Sequence, residues 1–489
     1  MNRITLRNPT LHIARVVKSA CLALAFCAAV NVTSSAQIFK TLVYFDGKNG
    51  GDPLRVALVQ GTDGNLYGTT ASTAFKMTPN GTLTTIHIFC TQQSCPEVYT
   101  GLLLATDGNF YGVTTTGGSS TSCTLGLGCG TVFKLTPNGA MTVLHSFSAT
   151  DGAYPVAALV EGTDGSLYGT TYAGGSFSSC INGSYVGCGT VFKITRAGAL
   201  TTLHNFNGSD GSLPSAPLIQ AIDGNYYGTT SYGGAYDNCP SNTGTCGTVF
   251  KITPSGSLTT LHSFNGGDGG NPLAGLYQAS NGNFYGATYD FGEPVGVDCA
   301  GGYPLCGTVF KITPTGELTT LDYLHGYLDA GNPTGTLIRA TDGNFYGASS
   351  NVFEMTAGNV VEPVFLTGDL YGTNPYGSLF QATNGVLYGM MSSCLSMCEG
   401  EIFSLNLGVG PFVTFILPSG KVGGTAQIIG QNLTRTTKVT FNGVPAASFK
   451  VISDTYLTAV VPTGATTGLV VITNRSGTLE SNKDFNVTQ

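Results

Sequence analysis

Tryptophan is absent from the 489 residues, and Asp, Glu, Lys and Arg together make up only 10% of them. With 70 glycines and 42% apolar residues, so sparse a charge excludes a solvated disordered chain and describes a neutral, turn-dense, β-rich one. Positive charge is scarcer still, 20 Lys and Arg against 27 Asp and Glu, for a net charge of −7. An acidic surface repels phosphate backbones, which argues against nucleic-acid binding. Beyond the N-terminal segment no apolar stretch is long enough to span a bilayer as a helix. There is no Gly-x-Ser-x-Gly elbow, phosphate loop or His-Glu-x-x-His helix. Catalysis needs unlike residues converging, whereas this sequence supplies like residues dispersed.

The N-terminus reads as an export signal over residues 1–36. Arg3, Arg7, Arg15 and Lys18 precede an apolar run from Ala20 to Val30, and Ser34-Ser35-Ala36 puts small residues where a signal is cleaved. Bulky Phe26 argues against a lipoprotein cysteine at Cys27. Cleavage after Ala36 removes four basic residues and leaves 16 against 27 acidic ones. A secreted or cell-surface location is expected. The twelve later cysteines fall into six close pairs, Cys90/Cys95, Cys123/Cys129, Cys180/Cys188, Cys239/Cys246, Cys299/Cys306 and Cys394/Cys398. An even, paired set in an exported chain favours disulfides. Zinc is disfavoured, because the pairs have three to seven intervening residues and no neighbouring histidine.

What the chain has in abundance is repetition. Asp/Asn-Gly-x-aromatic/Leu-Tyr-Gly recurs with its tyrosine at Tyr67, Tyr111, Tyr168, Tyr227, Tyr285, Tyr346 and Tyr388, and a downstream phenylalanine recurs at Phe75, Phe133, Phe192, Phe250, Phe310, Phe353 and Phe403. One unit, Pro214 to Phe264, reads as four short strands, the first two joined by the hairpin turn Asp223-Gly224-Asn225. Four antiparallel strands per unit make a propeller blade. The seventh unit, Pro375 to Phe403, lacks a fourth strand, and Phe39 to Phe45 supplies a matching segment at the other end. Lending that strand to the last unit closes a ring and leaves no open sheet edge. The expected fold is all-β: a seven-bladed β-propeller over residues 37–408, closed by strand 39–45, followed by an Ig-like β-sandwich over 409–489.

Across about residues 39–407, the phrases Asp-Gly-Asn-Leu/Phe-Tyr-Gly and Gly-Thr-Val-Phe-Lys-Ile-Thr-Pro-x-Gly resemble the GloVer tandem repeat of exported bacterial proteins. That resemblance implies no established activity. More loosely, the phrases look like the propellers of streptogramin lyases and two-component-regulator sensors, with no basis for carrying over catalytic residues. Ile416-Leu417-Pro418-Ser419-Gly420, Ile429-Gly430-Gln431-Asn432-Leu433, Val439-Thr440-Phe441-Asn442-Gly443-Val444-Pro445 and Val461-Pro462 resemble an IPT/TIG immunoglobulin-like domain, which implies a spacer or binding module in an exported protein.

Candidate functional residues must be weighed against repetition. His87, His145, His204 and His262 occupy equivalent positions, as do Lys76, Lys134, Lys193, Lys251 and Lys311. Equivalent points on a ring are too far apart to share a metal, so both sets read as scaffold. Asp63, Asp107, Asp164, Asp223 and Asp342, with Asn281 and Asn384, read as hairpin-turn residues rather than calcium ligands. Asp151, Asp210, Asp268 and Asp329 lie four residues before strand-opening prolines and read as turn formers on the cysteine-bearing face. A position near the end of strand one varies in charge: Gln60, Glu161, Gln220, Gln278, Arg339 and Gln381, with Leu104 in the second unit. On an innermost strand these could line the channel and bind a small polar ligand, or only hydrogen-bond neighbouring backbone. Neither a cofactor nor a catalytic residue is expected. The reading is a monomeric binding module for an extracellular glycan, peptide or surface protein. The alternatives are a lyase or hydrolase at the channel mouth, faintly suggested by Glu293, Asp298 and Arg339, and a structural envelope protein.

Overall fold

The computed structural model describes residues 38–488 apart from Arg55 and 90–95, 124–125, 178–179, 183–184, 237–244, 293–306, 325–330, 350, 357, 359–360, 366–374, 376 and 393–398. The expected signal segment, Asp329, Glu293 and Asp298 lie outside those residues. So do Cys90, Cys95, Cys239, Cys299, Cys306, Cys394 and Cys398. The expected pairs Cys90/Cys95, Cys299/Cys306 and Cys394/Cys398 therefore fall wholly outside the described residues, and Cys239/Cys246 falls half outside them.

Among the described residues, seven four-stranded antiparallel sheets carry the repeats. The fourth is typical: Ile219–Gln220, Tyr226–Thr230, Thr248–Ile252 and Leu258–Ser263 pair in sequence order. The seventh differs in composition. Phe380–Gln381, Leu387–Met391 and Glu401–Asn406 are completed by the N-terminal strand Ile38–Tyr44, in a register running from Ile38 opposite Asn406 to Tyr44 opposite Glu401.

The repeated motif is explained by close packing. In the fourth sheet, Gly224 of the hairpin turn has a φ of +80°, which glycine adopts without Cβ strain. Gly228 follows the repeated tyrosine because a Cβ there would come within 2.7 Å of the Phe250 ring on the next strand. That phenylalanine in turn couples one sheet to its neighbour. The ring pairs Phe89/Phe133, Phe147/Phe192, Phe206/Phe250 and Phe264/Phe310 have centroids 5.2 to 5.4 Å apart, each joining the strand-four end of one sheet to strand three of the next. Phe45, arriving from the N-terminus, makes the same contact with Phe75 at 5.7 Å and so joins the seventh sheet to the first. Buried clusters follow the same order around the molecule, the closing one combining Phe45, Val56, Leu58 and Phe75 with Tyr388, Met390 and Ile402.

Because strands one and two are antiparallel, each sheet has a turn end, bearing the Asp-Gly hairpin, and a loop end, where strand one begins and strand two finishes. The C-terminal sandwich packs Thr414–Phe415, Thr425–Ile429, Tyr456–Val460 and Ser448–Val451 against a second sheet built on Thr436–Phe441 and Val470–Asn474. Phe415, Ile428, Leu457, Ile472 and Phe485 fill its core. It forms one compact unit with the ring and sits on the turn end. Gln427 Nε2 donates to Thr106 O at 2.9 Å, Thr455 Oγ1 to Thr62 O at 2.7 Å, Gln431 Nε2 to Thr383 Oγ1 at 2.9 Å and the Phe412 amide to Thr383 O at 3.0 Å. Ile429, 3% exposed, packs with Tyr67 and Leu104. That contact accounts for the one apolar residue in an otherwise polar position. The sandwich is thus docked rather than held away as a spacer.

Candidate functional site

Residues recurring from copy to copy are joined to one another. Asp223 Oδ2 accepts from Tyr227 Oη at 2.9 Å and from Lys251 Nζ at 2.8 Å; Asp63 with Tyr67 and Lys76, and Asp164 with Tyr168 and Lys193, repeat the set. Burial pushes the Asp223 carboxyl upward, but Lys251, Asn225 and Tyr227 more than offset it and hold its pKa below the usual carboxylate value. Three histidines pair with the acidic loop set: His145 with Asp151 at 3.0 Å, His204 with Asp210 at 2.9 Å and His262 with Asp268 at 2.7 Å. Asp151 also accepts the Ser148 amide at 2.8 Å, so the expected turn role and a link to strand four coexist. His87 instead faces the Gly139 carbonyl at 3.1 Å.

The strand-one residues form clasps between sheets at the turn end. Gln220 Oε1 accepts the Thr163 amide of the preceding sheet at 3.0 Å while its Nε2 donates to its own turn at Gly224 O, 3.3 Å. Gln60 does the same with Thr383 and Gly64, Gln278 with Ile222 and Gly282, and Gln381 with Thr341 and Gly385. Gln60 and Gln381 are buried. Glu161 is clasped too, its carboxylate accepting from the Thr106 amide at 2.8 Å and from Thr106 Oγ1 at 2.6 Å. The extra charge at that position is met by Arg196, which pairs with Glu161 and stands where other copies carry Pro79, Pro137, Pro254 or Pro314. Arg339 cannot accept; its Nε donates to Gly343 O at 3.1 Å, and it lines a cleft against the sandwich with Phe412 and Glu480. These six thus bond to backbone at the turn end, the alternative role expected of them beside channel lining.

The loop end has a different character. A cavity of about 330 Å³ opens there between the second and fifth sheets. Tyr154, Tyr172, Tyr232 and Tyr289 form much of its wall, with Thr115, Ser231, Asn271 and Asp290 as polar members. Tyr154 and Asn271 each precede a strand-opening proline in left-handed backbone, φ +55° and +51°. Their amides donate to Cys129 O and Cys246 O, at 2.9 and 2.8 Å. Cys129 is bonded to Cys123, and Cys246 is itself in a disulfide, so cystine loops brace the mouth. Cys180 is bonded to Cys188 in the third sheet's loop. Asn271 Nδ2 donates to Asp290 Oδ2 at 2.7 Å, and Asn332 Nδ2 to Tyr289 O at 2.8 Å. Burial pushes the Asp290 pKa up, with only the Asn271 bond opposing it.

These cavity residues are not in the repeated motif. After the Val-Thr, Thr-Thr or Ala-Thr that ends strand two, the second to fifth copies read Thr115-Thr116, Tyr172-Ala173, Ser231-Tyr232 and Tyr289-Asp290. Aligning the copies and looking for positions that diverge would have found them; looking for recurring polar residues finds scaffold.

The sequence profile of the Gloeobacter/Verrucomicrobia repeat matches residues 28–181, 71–293, 126–361 and 242–448 in overlapping registers, and that of the IPT/TIG domain matches 411–487. No curated protein matches in sequence. Among solved structures, the extracellular domain of a proposed one-component system from B. thetaiotaomicron is similar at 10% identity and TM-score 0.47, over 92% of this chain and 58% of that one. The extracellular domain of a proposed hybrid two-component system from the same organism is similar at 11% identity and TM-score 0.46, over 93% and 58%. A gluconolactonase of Xanthomonas campestris is similar at 10% identity and TM-score 0.38, over 76% and 89%. The chain thus spans little more than half of the two sensor domains, and likenesses this distant assign no activity.

Proposed function

Because the chain belongs to the Gloeobacter/Verrucomicrobia repeat family and ends in an IPT/TIG domain, we propose that it is an exported, non-catalytic binding module whose ligand enters the loop-end cavity. The observation that carries this reading is the contrast between the two ends. At the turn end the repeated side chains hydrogen-bond neighbouring sheets and the sandwich covers part of the surface. At the loop end, residues that differ from copy to copy gather around a concave, tyrosine-rich wall with a few convergent polar groups, the usual make-up of a ligand site. Export is supported by the disulfides Cys123–Cys129 and Cys180–Cys188, which persist in oxidising compartments. A glycan, a peptide or a surface protein presenting a small group fits the cavity's size.

The test is a binding screen of glycan and peptide arrays with three proteins: the parent, Tyr232→Ala in the cavity wall and Lys251→Ala in the repeated scaffold. Tyr232→Ala should abolish the hits that Lys251→Ala retains. Hits that survive Tyr232→Ala undiminished would refute the loop-end site.

A further inference from the structure

Resting on the reading of the loop-end cavity as the binding site, we infer that the group it recognises is a primary ammonium, held by the Asp290 carboxylate and enclosed by tyrosine faces. Among the described residues of the cavity wall, Asp290 is the carboxylate and neither lysine nor arginine occurs. Its described side-chain hydrogen bonds come from neutral amides, Asn271 Nδ2 at 2.7 Å and Asn332 Nδ2 at 3.5 Å. A partly buried carboxylate met only by neutral donors is a costly arrangement that a bound cation relieves. Elsewhere in the molecule four aspartates of the repeated motif are met by lysines of their own sheets, Asp63 by Lys76, Asp107 by Lys134, Asp164 by Lys193 and Asp223 by Lys251. Asp290 lies outside that motif, has no lysine or arginine beside it in the described cavity wall, and stands among tyrosines, whose ring faces attract cations.

Three further observations fit. Asn271, 7% exposed, holds its Oδ1 without a hydrogen-bond partner, leaving an acceptor beside the carboxylate for a second N–H. The net charge of −7 draws cations toward the surface and disfavours phosphates, carboxylates and acidic sugars. At about 330 Å³ the cavity lies at the small end of ligand sites, matching an aminoalkyl group rather than an oligosaccharide. The same chemistry is offered by a free amine and by the lysine side chain of a peptide.

Isothermal titration of the full chain separates these. The probes are n-butylamine, its neutral counterpart 1-butanol, an N-acetyl glycyl-lysyl-glycine amide peptide, the same peptide acetylated on lysine, and methyl glucoside. Butylamine or the lysine peptide should bind, with 1-butanol and the acetylated peptide weaker by at least about tenfold. Preference for the peptide over butylamine identifies a polypeptide source; equal affinity identifies a free amine. Asp290→Asn keeps an oxygen for Asn271 and should weaken the amine by at least about tenfold. Tyr232→Leu should weaken it where Tyr232→Phe does not, which keeps the inference open to refutation if Asp290→Asn misfolds. Equal binding of amine and alcohol, an unaffected Asp290→Asn protein, or no binding of either amine probe would overturn the ammonium assignment. Binding of methyl glucoside alone, lost in Tyr232→Leu, would overturn it while leaving the loop-end site standing.

Discussion

Phe45→Ala should be among the most damaging single substitutions in the repeated sheets, although Phe45 lies just past the end of the N-terminal strand Ile38–Tyr44. Its side chain is 1% exposed, its ring lies 5.7 Å from that of Phe75 in the first sheet, and its cluster includes Val56, Leu58, Met390 and Ile402. The backbone is fastened as well, Phe45 N donating to Gly400 O at 2.8 Å and Glu399 N to Phe45 O at 3.2 Å. Removing a fully buried phenylalanine costs about 3–5 kcal/mol through lost transfer energy and the cavity left behind. Relief by collapse is limited here, because the contact joins two sheets that are each fixed by their other neighbours. Tyr44, one residue earlier and 60% exposed, is the matched control, for which Tyr44→Ala should cost within about 0.5 kcal/mol. Urea unfolding followed by far-ultraviolet circular dichroism compares the two, since the protein has no tryptophan to report on. A Phe45→Ala midpoint matching that of Tyr44→Ala would refute the claim that the N-terminal strand locks the seventh sheet to the first.

Two further outcomes follow from the polar scaffold. The motif aspartates Asp63, Asp107, Asp164 and Asp223 have pKa values lowered from 3.8, so their contribution to stability is complete above that value and is lost as pH falls through the lower folded-state values. Melting temperature should therefore fall below about pH 4, and Asp223→Asn should cost about 1 kcal/mol at pH 7 with part of that difference vanishing in acid; a pH-independent cost would contradict the ion-pair account. Peptide mapping of the non-reduced protein should recover Cys123–Cys129 and Cys180–Cys188 as local crosslinks. With sequence separations of 6 and 8, breaking either should destabilise by no more than roughly 2–3 kcal/mol, and free thiols at these positions would overturn the pairing.

The four-stranded sheets were legible in the sequence because their construction repeats itself. Each copy needs a glycine under a phenylalanine, as at Gly228 and Phe250, and a turn residue for its tyrosine, as at Asp223 and Tyr227. The missing fourth strand of the last unit exposed the role of Ile38–Tyr44 for the same reason. What stayed hidden has no period. The Gln220 clasp ends on a backbone amide 57 residues away, which leaves no trace in side-chain identity. The docking of the sandwich runs through Gln427, Gln431 and Thr455, polar residues that any sandwich surface could carry. Its one apolar clue was Leu104, which departs from the polar residues of its position because Ile429 packs with it. The cavity was obscured by its own nature, since Tyr172, Ser231, Tyr232 and Asp290 are informative only as differences between aligned copies.

Amide hydrogen exchange, recorded with and without whichever array component binds the parent protein, tests most directly where this molecule meets its ligand. Protection should rise at the loop end, over the segments containing Ser231 and Tyr232, Asn271 to Leu273, and Tyr289 and Asp290. Protection confined to the turn end, around Gln60 to Gly64, Gln220 to Gly224 and Gln381 to Gly385, would contradict it and return the site to the clasp residues.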